Sequence, residues 1–181
     1  MNVYDIKSTE EVEVGRFHII KHKIETKEGL SPYSYVKIKN GVAVIPVMND
    51  KILLIRQYRL TINSWEWEIP AGFIEEEELP RDAACRELME ETGYTADRLI
   101  DLGDFYPSCG STDEKIYLYA AECSKKLEQK LDATEKIIVE MKTKDEVIEM
   151  VRQNQIKHGA GLTALFKYLL HSDSNHFNIS D

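Results

Sequence analysis

The chain has 181 residues, 43% of them hydrophobic and 30% charged, with a formal net charge of −9. That length serves one sizeable core and not two independent ones, and the mix is that of an ordinary soluble globular protein. The acidic balance argues against nucleic acid as a partner, because such binding rests on a positive field. No apolar run approaches the roughly 20 residues of a membrane span. The N-terminal MNVYDIKSTEEVEVG is charged and lacks the apolar stretch of a signal peptide. Cys85, Cys109 and Cys123 are odd in number and widely spaced. They suit neither a disulfide framework nor a zinc site, so a reducing cytoplasm is the expected location.

In chain order, residues 11–24 and 33–38 alternate in part and read as strands, joined by the turn-rich TKEGLSP. GVAVIPV (41–47) and KILLIRQY (51–58) form a hairpin about Met48-Asn49-Asp50, apolar enough to be buried strands of a central sheet. Residues 65–69 are extended, Pro70-Ala71-Gly72 is a turn, and the glutamate run after it is a loop. Pro80 suits the first turn of a helix and Gly93 its end, giving a helix from about Pro80 to Thr92. Strands follow at 99–106, 115–122 and 137–141, then helices at 144–155 and 162–171 and a polar tail expected to fray. Strands interleaved with helices predict an α/β (α+β) fold with helices on both faces of a mixed sheet.

The sharpest signal lies on the first helix. At about 100° per residue, Glu91 lies about 40° from Glu87 and Glu90 about 60° to its other side, so three carboxylates share a face. Cys85, Leu88, Met89 and Thr92 cluster opposite, toward the core, with Ala83 and Ala84 flanking the carboxylates. Arg86 sits one turn before Glu90 and can pair with it. Crowded carboxylates call for a countercharge. Mg²⁺, which takes a few carboxylates, keeps waters and accepts substrate phosphates, is the natural one. A solvated acidic face is the plain alternative on spacing alone.

Gly72, five residues, Glu78, seven residues, Arg86-Glu87-Leu88, one residue, Glu90-Glu91, one residue, Gly93-Tyr94: this pattern is the complete Nudix box. The chain therefore resembles the Nudix hydrolase superfamily. The resemblance implies an α/β/α sandwich and a loop–helix–loop metal site that cuts a nucleoside diphosphate linked to another group. It implies Glu87, Glu90 and Glu91 as ligands to Mg²⁺ (or Mn²⁺), with the Ala71 carbonyl completing the shell. Arg86 would hold a carboxylate in place, and Glu78 would assist through water or a structural bond. Retention of every box residue argues against the non-catalytic ligand sensors of the superfamily.

Three flanking segments resemble the ADP-ribose pyrophosphatase (nucleoside diphosphate sugar hydrolase) branch: Arg56-Gln57-Tyr58-Arg59, Trp67-Glu68-Ile69-Pro70-Ala71-Gly72, and Phe105 to Glu114. Pro107 matches a proline diagnostic of that branch, while Cys109 stands where a second proline is common. ADP-ribose, cut to AMP and ribose 5-phosphate, is thus the implied substrate; a dinucleoside polyphosphate, a GDP-sugar or an oxidised nucleotide is the alternative. Arg59 offers a planar donor fork to phosphate or ribose oxygens. Glu68 and Glu114 are candidates for ribose hydroxyls or a water. Tyr33, Tyr35 and Phe17 could face the adenine, and apolar packing is the alternative for each. The branch carries its general base on a loop after the last sheet strands. Glu135 is the candidate here, with Asp132 and Glu140 as neighbours. Catalytic roles thus fall to Glu135, Arg86 and Glu90. The N-terminal strand-rich segment, residues 1–38, would build a homodimer, leaving 39–181 as the catalytic domain.

Overall fold

A computed structural model describes residues 3–174. The chain divides into two compact units. One comprises Met1–Asn40 with Tyr106–Lys115, the other Gly41–Phe105 with Ile116–Asp181.

The first unit is an antiparallel sheet of β1 (Asp5–Val14), β2 (Phe17–Thr26) and β3 (Gly29–Lys37). The alternating run read from the sequence as 11–24 is broken at Gly15-Arg16, where β1 turns into β2. Residues 106–115 belong to this unit through the Val36 N–H donated to the Ser111 carbonyl at 2.9 Å and the Ile38 N–H donated to Asp113 Oδ1 at 2.9 Å. Ile20 is the one hydrophobic residue of β1–β3 that is buried, at 6% exposure. Ile6, Val14, Phe17, Leu30 and Tyr33 stay exposed.

The second unit carries β4 (Gly41–Met48), β5 (Lys51–Arg59), β6 (Ser64–Glu68), β7 (Ala71–Phe73), α1 (Pro80–Thr92), β8 (Tyr94–Phe105), β9 (Ile116–Lys126), β10 (Ile137–Thr143), α2 (Lys144–Arg152) and α3 (Gly159–Ser174). Its seven-stranded sheet runs β10-β5-β4-β9-β8, with β6 on β5 and β7 on β4. The β4–β9 pair is parallel and the others antiparallel, so the sheet is mixed as expected. Alternation along β4 and β5 serves two cores. Ala43, Ile45, Ile52 and Leu54 face α2 and α3 together with Val147, Met150, Ala164 and Leu165. Val42, Val44, Leu53 and Ile55 face α1 with Ala83, Ala84 and Leu88. Each fully buried aliphatic side chain contributes about 1.5–3 kcal/mol. Both layers are therefore strongly driven, and the α/β/α arrangement follows.

Two local features position the site. First, Asn49 (φ 49°) and Asp50 (φ 60°) turn β4 into β5, but the strands pair only at Val47–Ile52 and Met48–Lys51. Beyond that they splay, and β6 and β7 fill the gap on β5 and β4 respectively. The predicted Pro70-Ala71-Gly72 turn is thus partly strand: the Pro70 carbonyl accepts from the Val44 N–H at 2.9 Å, and Ala71 and Gly72 pair with β4. Second, α1 ends at Gly93, left-handed at φ 77°, where an added Cβ would run into the Leu127 carbonyl. Gly93→Ala should therefore lower the melting temperature by roughly 5 °C, the sum of left-handed strain and overlap. An unchanged melting temperature would contradict this packing.

The predicted helix over 144–155 stops at Arg152, with Asn154 left-handed at φ 57° just beyond. Its start is a capping box, Thr143 with Glu146. No described helix is long and apolar enough to cross a membrane. The expectation for the polar tail falls beyond residue 174, outside the described residues.

Candidate active site

The site is built where α1 faces β7. Glu91 is 2% exposed, and its Oε2 accepts the Ala71 N–H at 2.9 Å. Glu87 is 13% and Glu90 34% exposed at the side chain, so the carboxylate face grades from core to surface. A Cβ on Gly72 would fall on the Glu87 carboxyl group. Glycine is required there by close approach, not by backbone conformation.

Arg86 is the hub. Its Nε and Nη2 donate to Glu78 at 2.8 Å each, and its Nη1 to Glu87 at 2.7 Å and Glu90 at 3.1 Å. Nη2 also donates to the Phe73 carbonyl at 2.9 Å. Glu78 accepts further from the Glu75 N–H at 3.0 Å, so its bonds tie the glutamate loop to the helix. The Arg86 hydrogen bonds hold the Glu78 carboxyl at a pKa of about 2. Burial pushes Glu87 up, against the Arg86 contact, and pushes Glu91 well up, against the Ala71 N–H.

Glu78, Glu87 and Glu90 thus share one guanidinium while Glu91 meets the Ala71 N–H, which leaves negative charge uncompensated in a half-buried place. Among the described residues, no three acidic, cysteine or histidine side chains are gathered closely enough to hold a metal ion as they stand. The donor set nonetheless suits a hard divalent cation that keeps waters and takes only a few carboxylates. Glu87, Glu90 and Glu91 would hold it, beside the Ala71 backbone.

A second feature opens at the end of the β5–β6 pair. The Arg59 Nε and Nη2 clamp Glu68 at 2.7 and 2.6 Å, and Glu68 is 3% exposed. The sequence reading offered the Arg59 fork to a ligand; in the structure two of its donors are held by Glu68. His158 Nε2 lies 3.5 Å from the same carboxylate. Burial lowers the His158 pKa against the pull of Glu68, and its Nδ1 is buried with no hydrogen-bond partner among the described residues. These residues line a cleft of about 570 Å³ with Ser64, Glu66 and Lys157. Arg59 feels the charges of Glu91 and Glu135, so the cleft adjoins the carboxylate helix. Glu66, Lys157 and His158 were missed in the sequence. The only available signal was a Lys-His pair directly before a glycine-opened helix, brought here by the Trp67–Ile156 bridge.

Glu135 closes a turn: its N–H donates to the Asp132 carbonyl at 2.9 Å, and its Oε2 accepts the Asp132 N–H at 2.9 Å. Its charge acts on Glu87, Glu91 and Arg59. Glu140, by contrast, pairs with Lys142 at 2.8 Å on β10. Glu114 belongs to the first unit, where burial raises its pKa. In that unit Tyr33 and Tyr35 line a cleft of about 480 Å³ with Tyr106, Thr112 and Asp113. Phe17 instead lies under the Arg16 guanidinium, 5.0 Å from its ring centre. Trp65 and Trp67 flank Arg56 at 5.9 and 5.8 Å, a packing role on the sheet.

A mixed sheet thus lies between helix layers, with a glutamate-bearing helix docked on a glycine-bearing strand. Residues 37–161 match the NUDIX domain, and the chain belongs to that family. It is 34% identical over 163 residues to the ADP-ribose pyrophosphatase of Bacillus subtilis (strain 168), covering 83% of this chain and 88% of that protein. It is 36% identical over 155 residues to the methanol dehydrogenase activator of Bacillus methanolicus, covering 82% and 83%. A crystal structure of an ADP compounds hydrolase superposes with a TM-score of 0.86 over 97% of both chains at 22% identity, a likeness of fold. The chain is a Nudix hydrolase of the pyrophosphatase type.

Proposed function

We propose that the protein hydrolyses ADP-ribose to AMP and ribose 5-phosphate with Mg²⁺ (Mn²⁺ serving in its place), in the cytoplasm and as a homodimer. The observation that carries this reading is Glu91, a carboxylate 2% exposed beside Glu87 and Glu90, whose described hydrogen bond is to the Ala71 N–H. A fold does not bury such a group among aliphatic side chains without a use for it, since an uncompensated buried charge costs several kcal/mol. The Bacillus subtilis relative supports ADP-ribose among the possible diphosphates. The cleft of Arg59, Ser64, Glu66, Glu68, Lys157 and His158 supports a polyhydroxylated, anionic half-substrate, because carboxylates accept from hydroxyls and cations meet phosphate. The exposed apolar side chains on β1–β3 support a covering partner, since a lone three-stranded sheet needs a buried face.

Glu87, Glu90 and Glu91 would hold a divalent cation, which when bound would supply charge neutralisation at the diphosphate and a more acidic water. The Ala71 N–H keeps the Glu91 carboxylate aimed. Arg86 fixes Glu87 and Glu90 from behind. The Arg59 N–H groups not held by Glu68 would meet the diphosphate, with Glu68 locking the fork. Glu135 takes the proton of the attacking water as the P–O–P bridge breaks and the second phosphate leaves. Glu135→Gln should lower kcat by about 10²-fold with little change in KM. A substrate panel with Mg²⁺ tests the assignment: kcat/KM for ADP-ribose should exceed that for GDP-mannose, a dinucleoside polyphosphate and an oxidised nucleotide. Equal or lower values for ADP-ribose would overturn it.

A further inference from the structure

We infer that Gln129 is a positioning residue that holds the Glu135 loop against the carboxylate helix. The inference rests on the reading of Glu135 as general base. The last carbonyls of a helix have no partner within it. In α1 they are taken over by the segment that leads to Glu135. The Gln129 Nε2 donates to the Glu91 carbonyl at 2.5 Å, and the Lys130 N–H to the Glu90 carbonyl at 2.8 Å. The Leu127 N–H donates to the Gly93 carbonyl at 2.6 Å. Leu131 then packs against the α1 side of the core, the Asp132–Glu135 turn closes, and the Lys136 carbonyl accepts the Tyr58 N–H at 3.1 Å. The loop is therefore anchored on α1 at one end and on β5 at the other, with only residues 131–135 between.

Glu91 is held from both sides as a result. Its carboxylate meets the Ala71 N–H, and its carbonyl meets Gln129. Among the described residues, Gln129 makes the side-chain hydrogen bond of this loop to α1, so substitution can remove it while the backbone bonds and the Leu131 packing remain. Gln129 is itself exposed, and losing it opens no cavity. The carbonyl end of a helix repels an anion and welcomes a donor. Gln129→Glu therefore breaks the tether at constant size, and Gln129→Lys restores a donor.

The test measures kcat and KM for ADP-ribose in Gln129→Glu and Gln129→Lys, each made in the natural chain and in Glu135→Gln. Gln129→Glu should lower kcat about tenfold with KM within about twofold, and Gln129→Lys should recover most of the loss. In the Glu135→Gln background, Gln129→Glu should change kcat less than about twofold, because the group it positions is gone. A tenfold loss in both backgrounds, or full activity in Gln129→Glu, would overturn the inference. Undiminished kcat in Glu135→Gln alone would instead remove the base assignment, and the inference with it.

Discussion

Glu91→Gln is expected to lower turnover of ADP-ribose by at least ~10²-fold while raising the melting temperature of the chelator-treated protein at neutral pH. The two effects share one cause. Glu91 is buried among side chains of the α1 core, and burial raises its pKa well above the ordinary 4.5. Between 4.5 and that raised value the folded chain keeps a proton that the unfolded chain has released. Stability from this group is therefore complete below about 4.5 and declines as pH rises through the folded value. Glu87 is raised in the same direction and adds to the decline. Glutamine keeps an acceptor for the Ala71 N–H and abolishes the buried charge, so the variant should escape much of the decline. It also removes the charge that the proposed cation site requires. Glu78 runs the other way: its lowered pKa gives stability that is present above 4.5 and lost as pH falls toward about 2. Melting curves from pH 4 to 8 in chelator should show Glu91→Gln gaining on the natural chain as pH rises, and parallel curves would count against the buried-charge account.

Arg86→Lys should cost about 2–4 kcal/mol, a fall in melting temperature of roughly 5–12 °C, and most of the activity. Arg86 makes hydrogen bonds to Glu78, Glu87, Glu90 and the Phe73 carbonyl from one planar fork. Lysine keeps the charge but offers a single point, so it cannot meet all four partners. With the arginine side chain 28% exposed, solvent screens part of the loss, which is why the estimate stays below that for a fully buried pair. Glu78 would regain a more ordinary pKa, and Glu87 would lose the contact that opposes its burial. Differential scanning calorimetry reads the first effect and steady-state kinetics the second. A lysine variant with the natural melting temperature would show that charge alone matters at this position.

The hairpin, the carboxylate helix and the order of strands and helices were legible because local signals carry them: apolar runs, Pro80, Gly93 and a box of fixed identities. The wedge of β6 and β7 between splayed strands was not legible, because pairing across the sheet leaves no mark in a short window. The helical wheel grouped Glu91 with Glu87 and Glu90. It could not show that Glu91 also lies on the buried stripe of Ala83, Ala84, Leu88 and Thr92, because the wheel does not know where the sheet lies. Ala83 and Ala84, read as open flanks of the carboxylate face, are fully buried beneath it. Lys157 and His158 reach the cleft only through the Trp67–Ile156 bridge, a contact between distant segments with no motif of its own. The membership of 106–115 in the first unit was hidden for the same reason.

Product analysis tests the central claim most directly. The purified protein is incubated with ADP-ribose and Mg²⁺, with and without excess chelator, and the products are separated. AMP and ribose 5-phosphate should appear in equal amounts, and chelator should suppress both. No AMP above the enzyme-free blank, or undiminished AMP in chelator, would contradict the account.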